Sequence, residues 1–190
     1  MAGPGAGGVG GAAVHKNTLM TSLIIEARRQ KKTDDGIFLV TAKNVRMGFI
    51  DYEASKEYVA EEDYDEIMRR GLPKLGDILF TTEAPLGNVA LVDDENVAMA
   101  QRIIRFRMKK VRFESSFTLY EMMSDHFQNQ LKSLSTGSTA EGLKASKLTI
   151  LKIISPPLHE QTAIATYLDR ETAKIDRLVA KVDAAIACLQ

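Results

Sequence analysis

The sequence predicts an α+β fold: a mostly antiparallel twisted sheet with packed helices, followed by a long C-terminal coiled-coil spacer helix. Three patterns point to it. Between residues 77 and 108, short β-rich runs alternate with turn signals, and such short connections favour antiparallel neighbours. Between Phe117 and Leu134, apolar side chains recur three or four apart, the period of an amphipathic helix. From Ile164 to Leu189 a heptad-like series leaves a narrow apolar seam that needs a partner helix.

Taken in order, residues 1–15 are rich in glycine and alanine and are expected to be disordered, since they offer too little apolar surface to offset ordering. They contain a literal GxGxxG, Gly5-Ala6-Gly7-Gly8-Val9-Gly10. A dinucleotide fingerprint must follow a buried strand, however, and only Met1 to Pro4 precede this one. Residues 18–30 suggest a short helix with Leu19, Leu23 and Ile24 on one side. Residues 36–41 read as a strand, and residues 49–52 as another after the Met47-Gly48 turn. A short charged helix over 61–70 stops at Gly71. Strands follow at 77–82, 88–92 and 102–108, separated by Ala84-Pro85-Leu86-Gly87 and Asp93-Asp94-Glu95-Asn96.

Phe117, Tyr120, Met123, Phe127, Leu131 and Leu134 then define a helix that covers one sheet face. Thr136-Gly137-Ser138-Thr139 is a loop, and residues 148–154 a last strand ended by Pro156 and Pro157. The final helix, from Glu160 to Gln190, carries Ile164, Leu168, Ile175, Leu178, Val182, Ala185 and Leu189 on its seam, with Glu171 interrupting the series. At 1.5 Å per residue it is roughly 45 Å long, too long to bury along its whole length against a small domain.

Composition narrows the function. The chain has 190 residues, 45% of them hydrophobic, which suits one globular domain plus an extension. Its 25 basic and 25 acidic residues cancel, so any affinity for phosphate depends on where charge is placed rather than on its sum. The single cysteine, Cys188, excludes an internal disulfide and suits a reducing compartment. With no apolar run of spanning length and no secretory signal, a cytoplasmic location is expected. His15, His126 and His159 are scattered, which argues against a metal site. No nucleophile–base spacing stands out for catalysis. Ser155-Pro156-Pro157-Leu158 approaches the tetrapeptide of amino-methyltransferases but lacks its closing aromatic, which stacks on the flipped base.

Several residues are candidates for nucleic-acid contact. Residues 101–113 hold six basic side chains and no acid. In a strand Arg105 and Arg107 share one face, while Ile104, Phe106 and Met108 point to the other. With Arg102 and Lys109 the arginines then form a phosphate-binding surface, or else a solvated face paired with the acids of 61–66. Lys43, Asn44 and Arg46 end a predicted strand; Asn pairs with adenine and Arg or Lys with guanine, or Asn44 simply bonds its own backbone. Thr81, Thr82 and Glu83 lie where a strand meets a loop. Glu83 suits a cytosine amino group, and a capped turn is the alternative. Ser138, Thr139 and Lys144 suit either phosphate or plain loop chemistry. Glu160 and Gln161 either cap the long helix or meet a partner subunit.

These segments also carry a resemblance. Lys43-Asn44-Val45-Arg46-Met47-Gly48-Phe49-Ile50, Leu75-Gly76-Asp77-Ile78-Leu79-Phe80-Thr81, Gly87-Asn88-Val89-Ala90-Leu91-Val92 and Thr136-Gly137-Ser138-Thr139 occur in order. Pro156-Pro157-Leu158-His159-Glu160-Gln161, Ile164-Ala165-Thr166-Tyr167-Leu168-Asp169 and Lys174-Ile175-Asp176 follow. From about residue 37 to 190 the chain resembles a target-recognition domain of the specificity subunit of a type I DNA restriction–modification system. Each motif alone is weak; their order and spacing are specific.

The resemblance implies a reader of double-stranded DNA without catalytic residues or a cofactor of its own. It implies methyltransferase subunits that bring S-adenosylmethionine, and a motor–nuclease subunit that cuts. Residues 1–15 are then a leader, 16–157 the recognition domain and 158–190 a spacer and dimerisation helix. Members usually carry two recognition domains and two spacers. This chain has one of each, as a half-length subunit or a fragment would, and its leader stands where an opening strand is expected. A half-length subunit pairs its helix antiparallel with that of a second copy, which predicts an interrupted palindromic target. The rival reading is a coiled-coil adaptor that binds proteins and no nucleic acid.

Overall fold

The computed structural model describes residues 13–16, 21–23, 31–83, 85–135, 143 and 145–189. Among these residues, nine strands and four α-helices occur in the order β1 (Ala13–Lys16), β2 (Thr21–Leu23), β3 (Ile37–Val40), β4 (Tyr58–Val59), α1 (Tyr64–Ile67), β5 (Ile78–Thr81), β6 (Val89–Leu91), β7 (Ala98–Met99), β8 (Ile103–Arg107), α2 (Ser115–Met123), α3 (Asp125–Ser135), β9 (Lys152–Ser155) and α4 (Leu158–Ala187). The fold is α+β with largely antiparallel sheets, as the patterning predicts. The central sheet has the order β2-β8-β5-β6, a second β4-β3-β7, and β1 pairs with β9.

The central sheet is covered on both faces. Ile78, Phe80, Ile104 and Phe106 face one core with Phe117, Met122, Phe127 and Leu131 from α2 and α3. Leu79, Ala90 and Ile103 face a second core with Leu39, Val40, Val59, Val97 and Met99. Every side chain of β5 is therefore buried, which is why its sequence reads as a continuous apolar run. The pair β3–β7 is parallel, with Leu39 opposite Ala98. A parallel pair needs a crossover, and the chain makes it through β5 and β6.

Six local expectations are corrected. Ala13–Lys16 is a strand rather than part of a disordered leader: it lies antiparallel to β9, with Ala13 opposite Ser155, and satisfies a backbone edge otherwise open. Thr21–Leu23 is strand, not helix, because pairing with β8 outweighs a weak apolar period in a segment opening on Thr and Ser. The remainder of residues 1–12, with their GxGxxG, and of the expected helix over 18–30 lies outside the described residues. Residues 49–52 form no strand. Gly48 has φ +100°, Arg46 donates its N–H to the Phe49 carbonyl at 2.9 Å, and Val45 and Ile50 alone bridge across this tight turn.

The helix expected over 117–134 breaks at Ser124, whose backbone is extended and whose Oγ accepts the Phe127 N–H at 3.3 Å, capping α3. The strand expected at 148–154 is shortened to β9 by a 3₁₀ turn over Ala145–Ile150 that buries Leu148. The helix expected over 61–70 is cut to a 3₁₀ turn at Glu61–Asp63 followed by the single turn of α1, which ends at Ile67; residues 68–70 are turn, and Gly71 follows with φ +122°.

The long helix α4 has 30 residues and buries only Gln161 and Ala165. Tyr120 Oη donates to Asp169 Oδ1 at 2.7 Å, giving one further tie to α2. From Thr172 to Leu189 every residue is exposed.

Candidate nucleic-acid interface

Three chain segments meet at one end of the β3–β7 pair, and each is fixed by its own hydrogen bonds. The turn after β3 is built on Asn44, which is fully buried. Its Oδ1 accepts from the N–H and Oγ1 of Thr41 at 2.9 and 2.7 Å, and its Nδ2 donates to the carbonyls of Asp51 and Ser55 at 2.9 and 2.8 Å. The carboxamide is fully used, so Asn44 is not available to an adenine; it is the turn-forming asparagine. What this turn presents instead is Lys43, which is exposed and makes no ion pair among the described residues.

The second segment follows β5. Thr81 is buried and turns inward: its Oγ1 donates to the Pro85 carbonyl and accepts the Asn88 N–H at 3.0 Å, so it too is a turn residue. Thr82 donates both its N–H (2.9 Å) and its Oγ1 (3.1 Å) to the Arg102 carbonyl. Glu83 forms an ion pair with Arg102, its Oε1 lying 3.1 Å from Nε.

The third segment, Gln101-Arg102, carries the chain from β7 to β8 and so from one sheet to the other. Arg102 has φ +71°, and no other non-glycine residue among those described has positive φ. Such a backbone is costly outside glycine and persists only where surrounding bonds hold it, here those of Thr82.

Together these segments line an open cleft of about 610 Å³ whose walls include Lys32, Lys43, Glu57, Glu83, Gln101 and Arg102. Lys32 reaches Glu57 at 2.7 Å. Burial pushes the Glu57 carboxyl up, but the bonds from Lys32 and Ser55 outweigh it and hold the group below its ordinary range. Lys32 lies outside every motif, and only tertiary packing brings it here. Gln101 opens the basic run, and its place beside Arg102 was the one signal for it.

The arginines of β8 are placed differently from expectation. Ile104, Phe106 and Met108 do face the core, but Arg105 faces a second core and is 3% exposed. Its guanidinium donates to the carbonyls of Gly71 and Leu72, and its Nε lies 3.6 Å from Asp77 Oδ2. Burial lowers its pKa against the pull of Asp77, and Arg107 adds to the lowering. Arg107 grips Asp77 with Nε at 2.8 Å and Nη2 at 2.7 Å, and its hydrogen bond to that carboxylate raises its pKa. The pair therefore organises the 71–77 turn; it neither forms an outward phosphate surface nor meets the acids of 61–66. Burial of the opposite face by β3 and β7 could not be read from alternation alone.

Arg46 is exposed beside Asp51 at 3.3 Å, and Lys109 is exposed after β8. Ser138, Thr139 and Lys144 lie outside the described residues. Gln161 is neither a simple cap nor an exposed partner contact: it is fully buried, with Nε2 donating to the carbonyls of Arg112 (3.0 Å) and Pro156 (2.7 Å). Glu160 is exposed. Among the described residues no cluster of His, Cys, Asp or Glu is arranged to hold a metal, and no helix is long and apolar enough to cross a membrane. On α4, Ile164, Ile175, Leu178, Val182 and Ala185 are exposed and Leu168 half-buried; Leu189, also exposed, lies just past the end of the helix. Tyr167, Val179 and Ile186, which the heptad reading omits, are also exposed and widen the stripe.

Residues 30–186 match the sequence profile of the type I restriction modification DNA specificity domain. The chain belongs to that family. Among relatives, it is 30% identical over 152 residues to the type I restriction enzyme MjaVIII specificity subunit of Methanocaldococcus jannaschii, covering 77% of this chain and 34% of that protein. To the MjaIX specificity subunit of the same organism it is 34% identical over 110 residues, covering 58% of this chain and 25% of the other. The chain thus spans about a third or less of these relatives.

The specificity-domain fold recurs in solved structures. A chain from a study of complex assembly and conformational transition in a type I R-M system superposes with TM-score 0.63 at 18% identity, covering 92% of this chain and 42% of its own. The HsdS subunit of Thermoanaerobacter tengcongensis gives 0.59 at 21%, with 85% and 44% covered. The S subunit from M. genitalium gives 0.55 at 17%, with 86% and 42% covered.

Proposed function

We propose that this chain is the non-catalytic, DNA-reading part of a type I restriction–modification system, that it reads one half of a bipartite target, and that it docks a methyltransferase subunit. The observation that carries this reading is the family match over residues 30–186, which takes in both the globular head and nearly all of α4. The cleft adds support: Lys43 and Arg102 stand on an open rim built on rigid turns, as side chains that position or read a duplex must. On this reading S-adenosylmethionine stays with the methyltransferase, cleavage belongs to a motor–nuclease subunit, and the assembly works in the cytoplasm. The exposed stripe of α4 holds two heads apart, either against a second helix of a longer chain or antiparallel in a self-dimer.

Mobility shift on a pool of duplexes, with a methyltransferase subunit present, tests the reading. Selective retention of a subset with two fixed half-sites is expected, and sequence-blind retardation would sink it. One observation favours the rival adaptor: two of the six basic residues in 101–113 are spent on Asp77. Salt separates the two readings. Phosphate binding weakens steeply as salt rises, and an apolar interface does not.

A further inference from the structure

The pair Glu83–Arg102 offers a pattern of hydrogen-bonding groups that matches one base pair. Arg102 Nε is engaged by Glu83 Oε1 at 3.1 Å. The two terminal guanidinium nitrogens, and the second carboxylate oxygen of Glu83, have no hydrogen-bond partner among the described residues. A two-pronged donor and a free acceptor are thus held side by side. Both side chains are open to solvent, at 59% and 37%, on the rim of the cleft beside Lys43 and Gln101. The backbones beneath them are clamped, because Thr82 bonds twice to the Arg102 carbonyl and Leu143 donates to the Thr82 carbonyl at 2.9 Å.

In the major groove a C·G pair presents the cytosine amino donor, then the guanine O6 and N7 acceptors, in a row. We infer that Glu83 and Arg102 together read one C·G pair, Glu83 accepting from the cytosine amino group and Arg102 donating as a fork to guanine O6 and N7. Neither A·T nor T·A offers this order of groups, and the contact between Glu83 and Arg102 fixes their spacing before DNA arrives. Lys43 supplies phosphate attraction on the same rim without sequence preference. The left-handed backbone at Arg102 fits this role: it turns the side chain at the point where the chain leaves one sheet for the other, where no strand position would put it.

The inference rests on the DNA-reading function proposed above, and the two fail differently. The full chain, with a methyltransferase subunit, is used to select from duplexes with randomised positions, and the wild type is compared with Arg102→Gly, Arg102→Lys and Glu83→Gln. Glycine accepts positive φ, so Arg102→Gly removes the fork while sparing the turn. An invariant C·G at one position in the wild-type selection is expected, with Arg102→Gly losing roughly 5- to 150-fold discrimination there and nowhere else. Arg102→Lys keeps the charge and loses most of that discrimination, and Glu83→Gln weakens the preference for cytosine at the same position. Equal loss of affinity for every duplex in Arg102→Gly and Glu83→Gln would overturn the inference and leave the DNA reading standing, as would a wild-type motif without C·G. Failure of the wild type to enrich any sequence would overturn both.

Discussion

Gln161 Oε1 accepts the backbone N–H of Glu114 at 3.0 Å, joining residues 47 apart in sequence. Glu114 caps α2 and Gln161 lies in the first turn of α4, so one carboxamide fastens the long helix to the head at the point where it leaves. Replacing Gln161 by Ala removes the partner of the Glu114 N–H and of the carbonyls of Arg112 and Pro156 around a fully buried side chain. A loss of about 2–4 kcal/mol is expected, since a buried group left unpaired costs about 1–3 kcal/mol. Urea denaturation measures it, and a loss under about 0.5 kcal/mol, the scale of a surface substitution, would show that the anchor is elsewhere.

Asp77 pairs with two arginines, Arg105 and Arg107, the first of them buried. Asp77→Ala strands the Arg105 charge in the second core, and breaking a buried pair from one side costs about 3–5 kcal/mol. Thermal unfolding of this variant is expected to begin well below that of the wild type. Arg107→Ala, at a half-exposed site, is expected to cost less.

Burial raises the pKa of the Glu121 carboxyl, although its oxygen accepts the Ile154 N–H at 3.1 Å. For a carboxylate whose folded pKa lies above its unfolded value, the folded state binds the proton more tightly. The stability this adds is complete below the unfolded pKa and is lost as pH rises through the folded one. Glu121→Gln keeps the acceptor and removes the ionisation. The variant is therefore expected to be the more stable protein at neutral pH, and its advantage to shrink as pH falls toward the ordinary glutamate range. Denaturation midpoints at a series of pH values check the sign.

Leu178 and Val182 are more than or about half exposed on α4. If the stripe pairs two copies, Leu178→Glu with Val182→Glu converts a dimer to a monomer in light scattering. The head, which neither residue touches, keeps its unfolding free energy to within about 0.5 kcal/mol. A dimer that survives both substitutions places its interface off this stripe.

Strands β5, β6 and β8 and the stalk were legible because each carries a local signal: a compact apolar run between turns, or a sustained heptad-like series. Elements set by tertiary partners were not. Thr21–Leu23 is a strand because β8 lies beside it, and β3 pairs in parallel with a two-residue strand that has no pattern of its own. The same division runs through the site. Lys43, Glu83 and Arg102 were named from their chemistry and do share one cleft. Asn44, Thr81 and Arg105 were named on equally good chemistry and are buried, because residue type does not reveal which polar group a turn or a second core will consume. The break at Ser124 was written in the sequence as a Ser-Asp helix start, although the apolar period runs across it unbroken.

The stalk is a cantilever fixed near one end. Over its roughly 45 Å, a tilt of about 5° at the root carries the far tip about 4 Å, close to the 3.4 Å rise of a single base-pair step in a duplex. If the helix sets the gap between two half-sites, Gln161 is then what keeps the ruler from miscounting by one.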